Sequence, residues 1–410
     1  MQPDDGPVGE LEERLRRYPA ERYPVQHATA QFHLGIALAD LGELEGAEAA
    51  LVRAVELFDP RALSTEHGKA LNALGSVLRT AGRAEQAAKV FVRAAAAFQA
   101  AGAAGEHGAA CFNLGLVRRE MDDVHGATEV FAEARRLFEE ANAPAYAAAA
   151  ARELGGARFA EGDVDGARDI LEQSVDLAAR AGDEAGAGAA ANVLGLVELA
   201  AGRAREAVDA FAVAAAAHPR AVRREDHAMA KANLALAHEA AGEHRSARIA
   251  ARQALGVRSA PEPVRAQAEA ALARLGAEAD DVVAAVEEEQ DPGARSAIVR
   301  EELACWLDAR DAERPAEAGA WIDGQLARPA ASVTLAEAWV GGLLELPPAD
   351  LRAVIRSVVE ALRERPADAQ ERFRADVARA AARFHVPQLL RLRDEFNRMA
   401  VELGEQPAWR

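Results

Sequence analysis

The sequence is poor in cysteine and in aromatic residues, and each shortage excludes a class of protein. Only Cys111 and Cys305 occur among 410 residues, and they do not form a Cys-x-x-Cys spacing. We therefore expect neither a disulfide framework nor a cysteine-based zinc site, and we expect a reducing, cytoplasmic environment. Aromatic residues account for only 5% of the chain, so small side chains must form most of any core.

Positive charge and long apolar runs are also scarce. The 48 basic residues face 66 acidic residues, which gives a formal net charge of -18. Binding to nucleic acid requires clustered cations, so we expect no nucleic-acid partner. No run of 18 apolar residues occurs, and the first residues are polar and acidic. We therefore expect neither a membrane span nor a secretory signal.

Alanine is the residue in excess, and it occupies 105 of the 410 positions. Alanine has the highest helix propensity of all residues and is depleted in β-strands. The composition therefore predicts an all-α protein whose helices pack closely.

A motif that recurs at a constant interval is the strongest pattern in the sequence. Each copy begins with a marker leucine, followed by glycine in five copies and by alanine in the sixth; the leucines are Leu34, Leu74, Leu114, Leu154, Leu194 and Leu234. An alanine follows each marker at a fixed distance, as Ala47, Ala87, Ala127, Ala167, Ala207 and Ala247. Four residues later comes Leu or Phe in five copies and Ala251 in the sixth, and a small residue follows three residues further on. Steps of four and three place these side chains on one face of a helix.

A turn separates the two halves of each copy. Glycine lies at this point in five copies, and aspartate takes its place in the third: Gly42, Gly82, Asp122, Gly162, Gly202 and Gly242. Glycine enters the left-handed backbone region without strain, and aspartate tolerates that region better than most residues. Each copy is therefore predicted to be a helix, a short turn and a second helix, and stacked copies should share a continuous core. We expect the Leu or Phe of each copy to fill the gap to the neighbouring copy.

These residues resemble the signature of tetratricopeptide repeat (TPR) proteins. The 40-residue period is longer than the usual period of about 34 residues, and it is similar to the repeats of kinesin light chains and related adaptors. The family's bulky aromatic residue three positions before the marker leucine is missing; those positions hold Gln31, Leu71, Cys111, Ala151, Ala191 and Lys231. The resemblance implies a right-handed superhelical solenoid of helix-turn-helix repeats, followed here by a C-terminal all-helical region.

The sequence divides into four predicted parts. We predict an N-terminal leader over 1–24, a solenoid of six repeats plus a capping helix over 25–276, an acidic linker over 277–292 and a C-terminal helical domain over 293–410. In the last part, prolines delimit about six helices: Pro315, Pro329, Pro347, Pro348, Pro366 and Pro387. We expect these helices to add a second contact to a partner or to form a homodimer.

The four tryptophans all lie in the C-terminal part. We expect Trp306, Trp321 and Trp339 to be buried in its core, with a partner or dimer surface as the alternative. Trp409 lies next to the chain end, where we expect fraying.

In TPR solenoids the first helices of successive repeats line a concave groove, and the resemblance implies a ligand surface there. The groove-facing stripe yields the predicted binding residues Lys69, Asn72, Arg79, Asn113, Arg119, Arg152, Asn192 and Asn233. Asparagine amides could hold the backbone of an extended peptide, or they could bond to neighbouring helices instead. The arginines could form a cationic strip that binds a carboxylate or an acidic peptide.

The clamp with which TPR co-chaperones hold a C-terminal carboxylate is absent. The corresponding positions hold Phe32 and Ile36 in the first repeat and Ala109 and Asn113 in the third. The resemblance therefore does not extend to recognition of a chaperone tail.

Three evenly spaced histidines raise the question of a metal site. His67, His107 and His227 share one phase of the repeat, but neighbouring helices lie about 10 Å apart, too far for one metal ion to bridge. We interpret these histidines as structural.

The linear motifs of serine hydrolases, P-loop proteins, zinc proteases and dinucleotide-binding folds do not occur. We therefore expect no catalytic residue, no metal and no cofactor.

These features together predict a non-enzymatic TPR scaffold of a bacterial cytoplasm that binds a protein or peptide partner in its groove. Two alternatives remain open. One is a regulatory repeat protein that senses a peptide or a small molecule. The other is an enzyme of a specialised bacterial pathway, with its site in the groove or near residues 276–300.

Overall fold

The computed structural model describes residues 7–276 and 281–409, and the predicted all-α fold is confirmed. The described residues form 21 helices and no strand. They divide into two compact units, one that ends at Ala201 and one that begins at Gly202. The predicted boundary at 276 therefore lies inside the second unit. None of the described helices is long and apolar enough to cross a bilayer.

The first unit is a series of antiparallel helices at a spacing of about 20 residues, half the period of the motif. The predicted leader contains α1, and residues 1–6 of it lie outside the described residues. The helices are α1 (Pro7–Arg17), α2 (Pro24–Asp40), α3 (Leu44–Leu57), α4 (Ser64–Thr80), α5 (Ala84–Ala100), α6 (Ala104–Glu120), α7 (Val124–Glu140), α8 (Pro144–Ala160), α9 (Val164–Arg180) and α10 (Glu184–Ala200). Each helix packs on the next along the chain. The even-numbered helices from α2 to α10 carry the marker leucines and are the first helices of their repeats.

The predicted turns have the backbone conformation that their residues favour. Gly42, Gly82 and Gly162 have φ angles of 80°, 73° and 86°. Asp122, which replaces glycine in the third repeat, has a φ of 64°. The interpretation of Asp122 as a tolerated substitute for glycine is therefore confirmed.

The glycine after each marker leucine allows the two helices of a repeat to touch. A Cβ atom added to Gly75 would lie 2.7 Å from the ring of Phe91, and one added to Gly155 would lie 2.5 Å from Leu171 Cγ. The large residue therefore first fills space inside its own repeat, which the sequence analysis did not predict. It also belongs to an apolar cluster with the next repeat, since Phe91 clusters with Leu114.

The second unit contains the last repeat and the C-terminal helices. Its helices are α11 (Ala204–Ala217), α12 (Arg224–Ala240), α13 (His244–Leu255), α14 (Glu262–Leu275), α15 (Asp281–Glu288), α16 (Pro292–Asp308), α17 (Arg314–Leu326), α18 (Ser332–Glu345), α19 (Pro348–Arg363), α20 (Ala367–Ala381) and α21 (Val386–Glu402). The predicted acidic linker contains α15, and residues 277–280 of it lie outside the described residues. The six helices predicted after it are confirmed as α16 to α21.

One apolar core holds the C-terminal helices together. Trp306, Trp321 and Trp339 are 1%, 3% and 0% exposed and belong to this core, as predicted. The expectation that Trp409 frays is wrong. Its ring stacks on Phe396 with the ring centres 3.9 Å apart, and the amide of Asn397 bonds to its backbone N–H and C=O.

Two adjacent glycines in α8 give a matched test of helix contact. Gly155→Ala should lower the free energy of unfolding by about 1–3 kcal/mol because the new methyl group overlaps Leu171. A Cβ at Gly156 meets nothing within 4 Å, so Gly156→Ala should raise stability by about 0.5–1 kcal/mol through helix propensity. Urea midpoints of the full chain measure both. Equal effects of the two substitutions would contradict the close-contact account.

Candidate functional site

The first helices of the repeats in the first unit form a surface that we call the inner face, made of α2, α4, α6, α8 and α10. Side-chain bonds join these helices directly. Asn113 Nδ2 donates to Asn72 Oδ1 at 3.1 Å, and Arg79 Nε donates to Glu120 Oε1 at 2.7 Å. Both bonds connect α4 to α6, so the asparagines and Arg79 lie where neighbouring first helices meet.

The predicted arginines of the inner face are all paired with carboxylates. Arg79 pairs with Glu120, and Arg119 pairs with Glu153. Arg152 donates to the same carboxylate of Glu153 at 2.9 Å. The predicted cationic strip is therefore a row of alternating guanidinium and carboxylate groups, and its positive charge is largely balanced.

Helical periodicity divides the inner face into two edges and a centre. At about 100° per residue, positions two before and five after the marker leucine point to one edge, as Asn72 and Arg79 do. Positions one before and six after point to the other edge, as Asn113 and Glu120 do. Positions five before and two after the marker lie between the edges. Their side chains therefore face away from both neighbouring first helices.

The centre of the inner face carries apolar side chains in alternate repeats. Ile36 on α2 is 37% exposed and Leu196 on α10 is 42% exposed, while Leu116 on α6 is half-buried. Lys69 on α4 lies in the same central row and is exposed. Lys69 was among the predicted binding residues, whereas Ile36, Leu116 and Leu196 were not, because only polar side chains were considered as ligands of a peptide.

The remaining predicted residues do not join one site. Asn192 on α10 belongs to the first unit and is 8% exposed. Asn233 on α12 belongs to the second unit, where its Oδ1 accepts from Gln267 Nε2 at 2.9 Å. This bond connects α12 to α14, as the bond between Asn72 and Asn113 connects α4 to α6. Asn72 and Asn113 in the first unit and Asn233 in the second unit therefore take part in bonds between one even-numbered helix and the next.

Histidines at one phase of the repeat bond to the end of the preceding helix in three repeats. The Nδ1 atoms of His67 and His227 lie 3.2 Å and 2.9 Å from the carbonyl oxygens of Phe58 and His218. His27 makes the same contact with Tyr18 at 2.8 Å. His67 and His227 therefore have the structural role predicted from their phase. Among the described residues, no group of three or more histidine, cysteine or acidic side chains is arranged to hold a metal ion.

A charged cluster joins the last repeat to α16 within the second unit. Glu301 Oε1 lies 3.0 Å from His227 Nε2 and accepts from a guanidinium NH of Arg220 at 2.9 Å. Arg220 also donates to Asp308 at 2.9 Å, and Arg224 pairs with the same carboxylate. Arg220 is 9% exposed. The bonded groups lie far apart in the sequence, well beyond one repeat, so no periodic pattern could reveal these bonds.

The environment of Glu301 fixes its ionisation. Burial alone would raise the pKa of the carboxyl group. The hydrogen bond from His227 and the positive charges of Lys231 and Arg220 outweigh burial and lower the pKa of Glu301 to about 2. The carboxylate is therefore charged at neutral pH and holds α16 to the last repeat.

The lowered pKa of Glu301 predicts a pH-dependent contribution to stability. The group ionises near 4.3 when unfolded and near 2 when folded, so Glu301→Gln should cost about 2–3 kcal/mol at pH 7. The difference from the unaltered chain should shrink as the pH falls from about 4 to about 2. Glu345→Gln is the control, because its pair with Arg300 is half exposed and should contribute less than about 1 kcal/mol. Denaturant unfolding at several pH values measures both, and a difference that persists at pH 2 would contradict this assignment.

The chain was compared with family models, curated proteins and solved structures. No family model matches it, and no curated protein matches it in sequence. The structure of BtubC (BKLC) from P. vanneervenii is 19% identical, and the match covers 51% of this chain and 86% of that chain with a TM-score of 0.44. The structure of PilF from Pseudomonas aeruginosa is 16% identical, with coverage of 60% and 97% and a TM-score of 0.45.

A third structure is that of YrrB, described as a TPR protein with an unusual peptide-binding site. It is 19% identical, and the match covers 52% of this chain and 94% of that chain with a TM-score of 0.38. The helices of the chain itself define its architecture, through their regular spacing, glycine turns and glycine-to-large-residue contacts. In fold, this chain is an all-α array of helix-turn-helix repeats followed by further helices.

Proposed function

We propose that the chain is a non-enzymatic scaffold that binds an extended segment of a protein partner along the inner face of its first unit. The observation that carries this proposal is the central row, in which Ile36 and Leu196 are exposed and Leu116 is half-buried. Apolar side chains exposed at repeated positions of one surface mark an interaction site more often than isolated ones do. Both cysteines are free thiols, which suits a reducing cytoplasm.

The edges of the inner face complement the central row. The bond between Asn72 and Asn113 uses one amide N–H and one amide oxygen, so further amide donors and an acceptor are left for a peptide backbone. Two carboxylates offset most of the positive charge of the three guanidinium groups. They therefore favour a segment of mixed charge over the strongly acidic segment expected from the arginines alone.

The spacing of the central row predicts the pattern of the partner segment. Helices in contact lie about 8–10 Å apart, and an extended chain rises about 3.3 Å per residue. Successive first helices therefore match about every third residue of a peptide. Ile36, Leu116 and Leu196 lie on alternate first helices, which predicts an apolar residue about every six positions. Lys69 lies between the first two and predicts an acidic residue midway between two apolar ones.

Selection from a random peptide library displayed on phage tests this proposal. Peptides selected on the full chain should show the apolar spacing and the acidic residue. Leu116→Asp combined with Leu196→Asp should weaken their binding at least about tenfold, since each substitution places a charge against an apolar side chain. Val92→Asp is the matched control, because Val92 is 50% exposed on the second helix α5, outside the inner face.

Two results would contradict the proposal. One is a selection that enriches no peptide. The other is a set of enriched peptides that bind the Leu116 and Leu196 double variant as tightly as the unaltered chain while losing affinity for Val92→Asp. Circular dichroism establishes that each variant retains its helices.

The proposal also includes a homodimer through the C-terminal helices. On α21, Val386, Leu390 and Val401 are 64%, 41% and 58% exposed. Their spacing places all three within about 60° on one face of the helix. An exposed apolar helix face of this kind suits an isologous contact between two copies.

Light scattering coupled to gel filtration tests the dimer. The unaltered chain should elute with twice the mass of one chain, and Val386→Glu combined with Leu390→Glu should elute as a monomer. The control is Val222→Glu, since Val222 is 76% exposed outside α21 and should leave the mass unchanged. A monomeric unaltered chain would contradict this part of the proposal.

A further inference from the structure

The second unit contains a cavity that the scaffold proposal does not use. It measures about 430 Å³ and is bounded by α11, α12, α13, α15 and α16. This volume falls in the range of about 300–1,000 Å³ that small-molecule sites occupy. Its apolar walls include Leu234, Ile249 and Ile298. Ala216, which also lines it, is exposed, so the cavity is accessible to solvent beside α11.

Lys231 supplies a positive charge to this cavity without a bonded partner. The structure gives its ammonium group no hydrogen bond or ion pair with a described residue, and Glu301 is the carboxylate that acts on it electrostatically. One oxygen of the Glu301 carboxylate, Oε1, is already bonded to His227 and Arg220. Lys231 thus lines the cavity together with Glu301, whose carboxylate is bonded to Arg220 and His227.

Lys231 and Glu301 both line the cavity. The Glu301 carboxylate is bonded to Arg220 and to His227, so it is shared among several groups. A partly buried charge is more stable when a partner of opposite sign is bonded to it. A monovalent anion in the cavity would give Lys231 a bonded partner of its own.

The position of Lys231 in the repeat shows that packing does not require it. It lies three residues before the marker leucine, where the preceding four repeats have the buried side chains Leu71, Cys111, Ala151 and Ala191. Those residues are apolar or weakly polar and fill the space between helices. In the last repeat this space is the cavity, and a long cationic side chain extends into it.

We propose that this cavity binds a small organic carboxylate with an apolar body. The carboxylate pairs with the Lys231 ammonium group, and the apolar body lies against Leu234, Ile249 and Ile298. The mixture of apolar walls with one positioned charge is the usual composition of a small-molecule site. A monocarboxylate supplies one negative charge for the one ammonium group, whereas a dianion such as phosphate would place a second negative charge near Glu301.

The ionisation of Lys231 is consistent with this geometry. Burial lowers the pKa of its ammonium group in the ligand-free protein, against the opposing effect of Glu301. A bound carboxylate would favour the charged form and raise that pKa. Ligand binding should therefore be accompanied by an upward shift in the pKa of Lys231.

The chain offers a direct probe because it has only three lysines, Lys69, Lys89 and Lys231. The full chain labelled with ¹³C at lysine Cε gives one signal from each. The ligand probe is 4-phenylbutyrate, and 4-phenylbutyramide is the uncharged control with the same apolar body. We expect the acid to move the Lys231 signal in a saturable manner and to raise the pKa read from it, while the other two signals stay in place.

Isothermal titration of variants completes the test. The amide should bind the unaltered chain at least about tenfold more weakly than the acid does, because the charged pair is lost. Lys231→Met should weaken binding of the acid by a similar factor, and Lys89→Met, on an exposed lysine, should not change it. Ala216→Trp should block binding by filling the opening while it retains Lys231.

Several outcomes would overturn the proposal. They are the absence of saturable binding of the acid at millimolar concentration, equal affinities for the acid and the amide, and movement of the Lys69 or Lys89 signal instead of that of Lys231. Equal affinity of the Lys231→Met variant would also overturn it. If that variant fails to fold, the NMR titration of the unaltered chain and the Ala216→Trp variant still decide the question.

Discussion

The contact between a glycine and a large side chain, made in one repeat after another, is the constraint on which the repeat architecture depends. In four repeats the glycine after the marker leucine lies under Leu51, Phe91, Phe131 or Leu171, at distances that leave no room for a Cβ atom. This contact sets how closely two helices of a repeat approach. The sixth repeat replaces both partners, with Ala235 for the glycine and Ala251 for the large residue, and both remain buried. The side chains at the two positions therefore change in size together, which is expected when they fill one space.

The close contact inside each repeat also determines what remains available on the surface. Because one face of every first helix is committed to its own second helix, its opposite face forms the inner face. The edges of that face are joined by bonds such as the one between Arg79 and Glu120. The centre of the face is left for Lys69 and the apolar residues. The last repeat departs from the second to fifth repeats, since Lys231 occupies a position that holds a buried Leu, Cys or Ala in those repeats.

The sequence was sufficient to predict the elements and their order. A strict period, the glycine turns and the prolines are local signals, and each acts within a few residues of the structure that it specifies. Leu351, Val354 and Ile355 in α19 are buried, and their spacing within this one helix places them on one face. Trp409 was misjudged because its stacking on Phe396 depends on how the last segment folds back on α21, which no periodic pattern reports.

The candidate sites were predicted less well because side-chain partners lie far apart in sequence. Glu120 and Glu153 each lie one repeat after the arginine that they pair with, Arg79 and Arg119. The prediction was made for one helix at a time and therefore took account of the arginines alone. The cavity depends on α16, whose bonds to Arg220 and His227 join distant parts of the sequence. A local signal did exist for Lys231, one of three lysines in the chain, because the second to fifth repeats have a buried residue at its position.

Hydrogen exchange of the full chain, followed by mass spectrometry with and without a peptide selected on it, tests the central claim most directly. The account predicts slower exchange in the first helices α2, α4, α6, α8 and α10, and unchanged exchange in the second helices α3, α5, α7 and α9. Slower exchange confined to the second helices, or to the second unit alone, would contradict the assignment of the inner face as the binding surface.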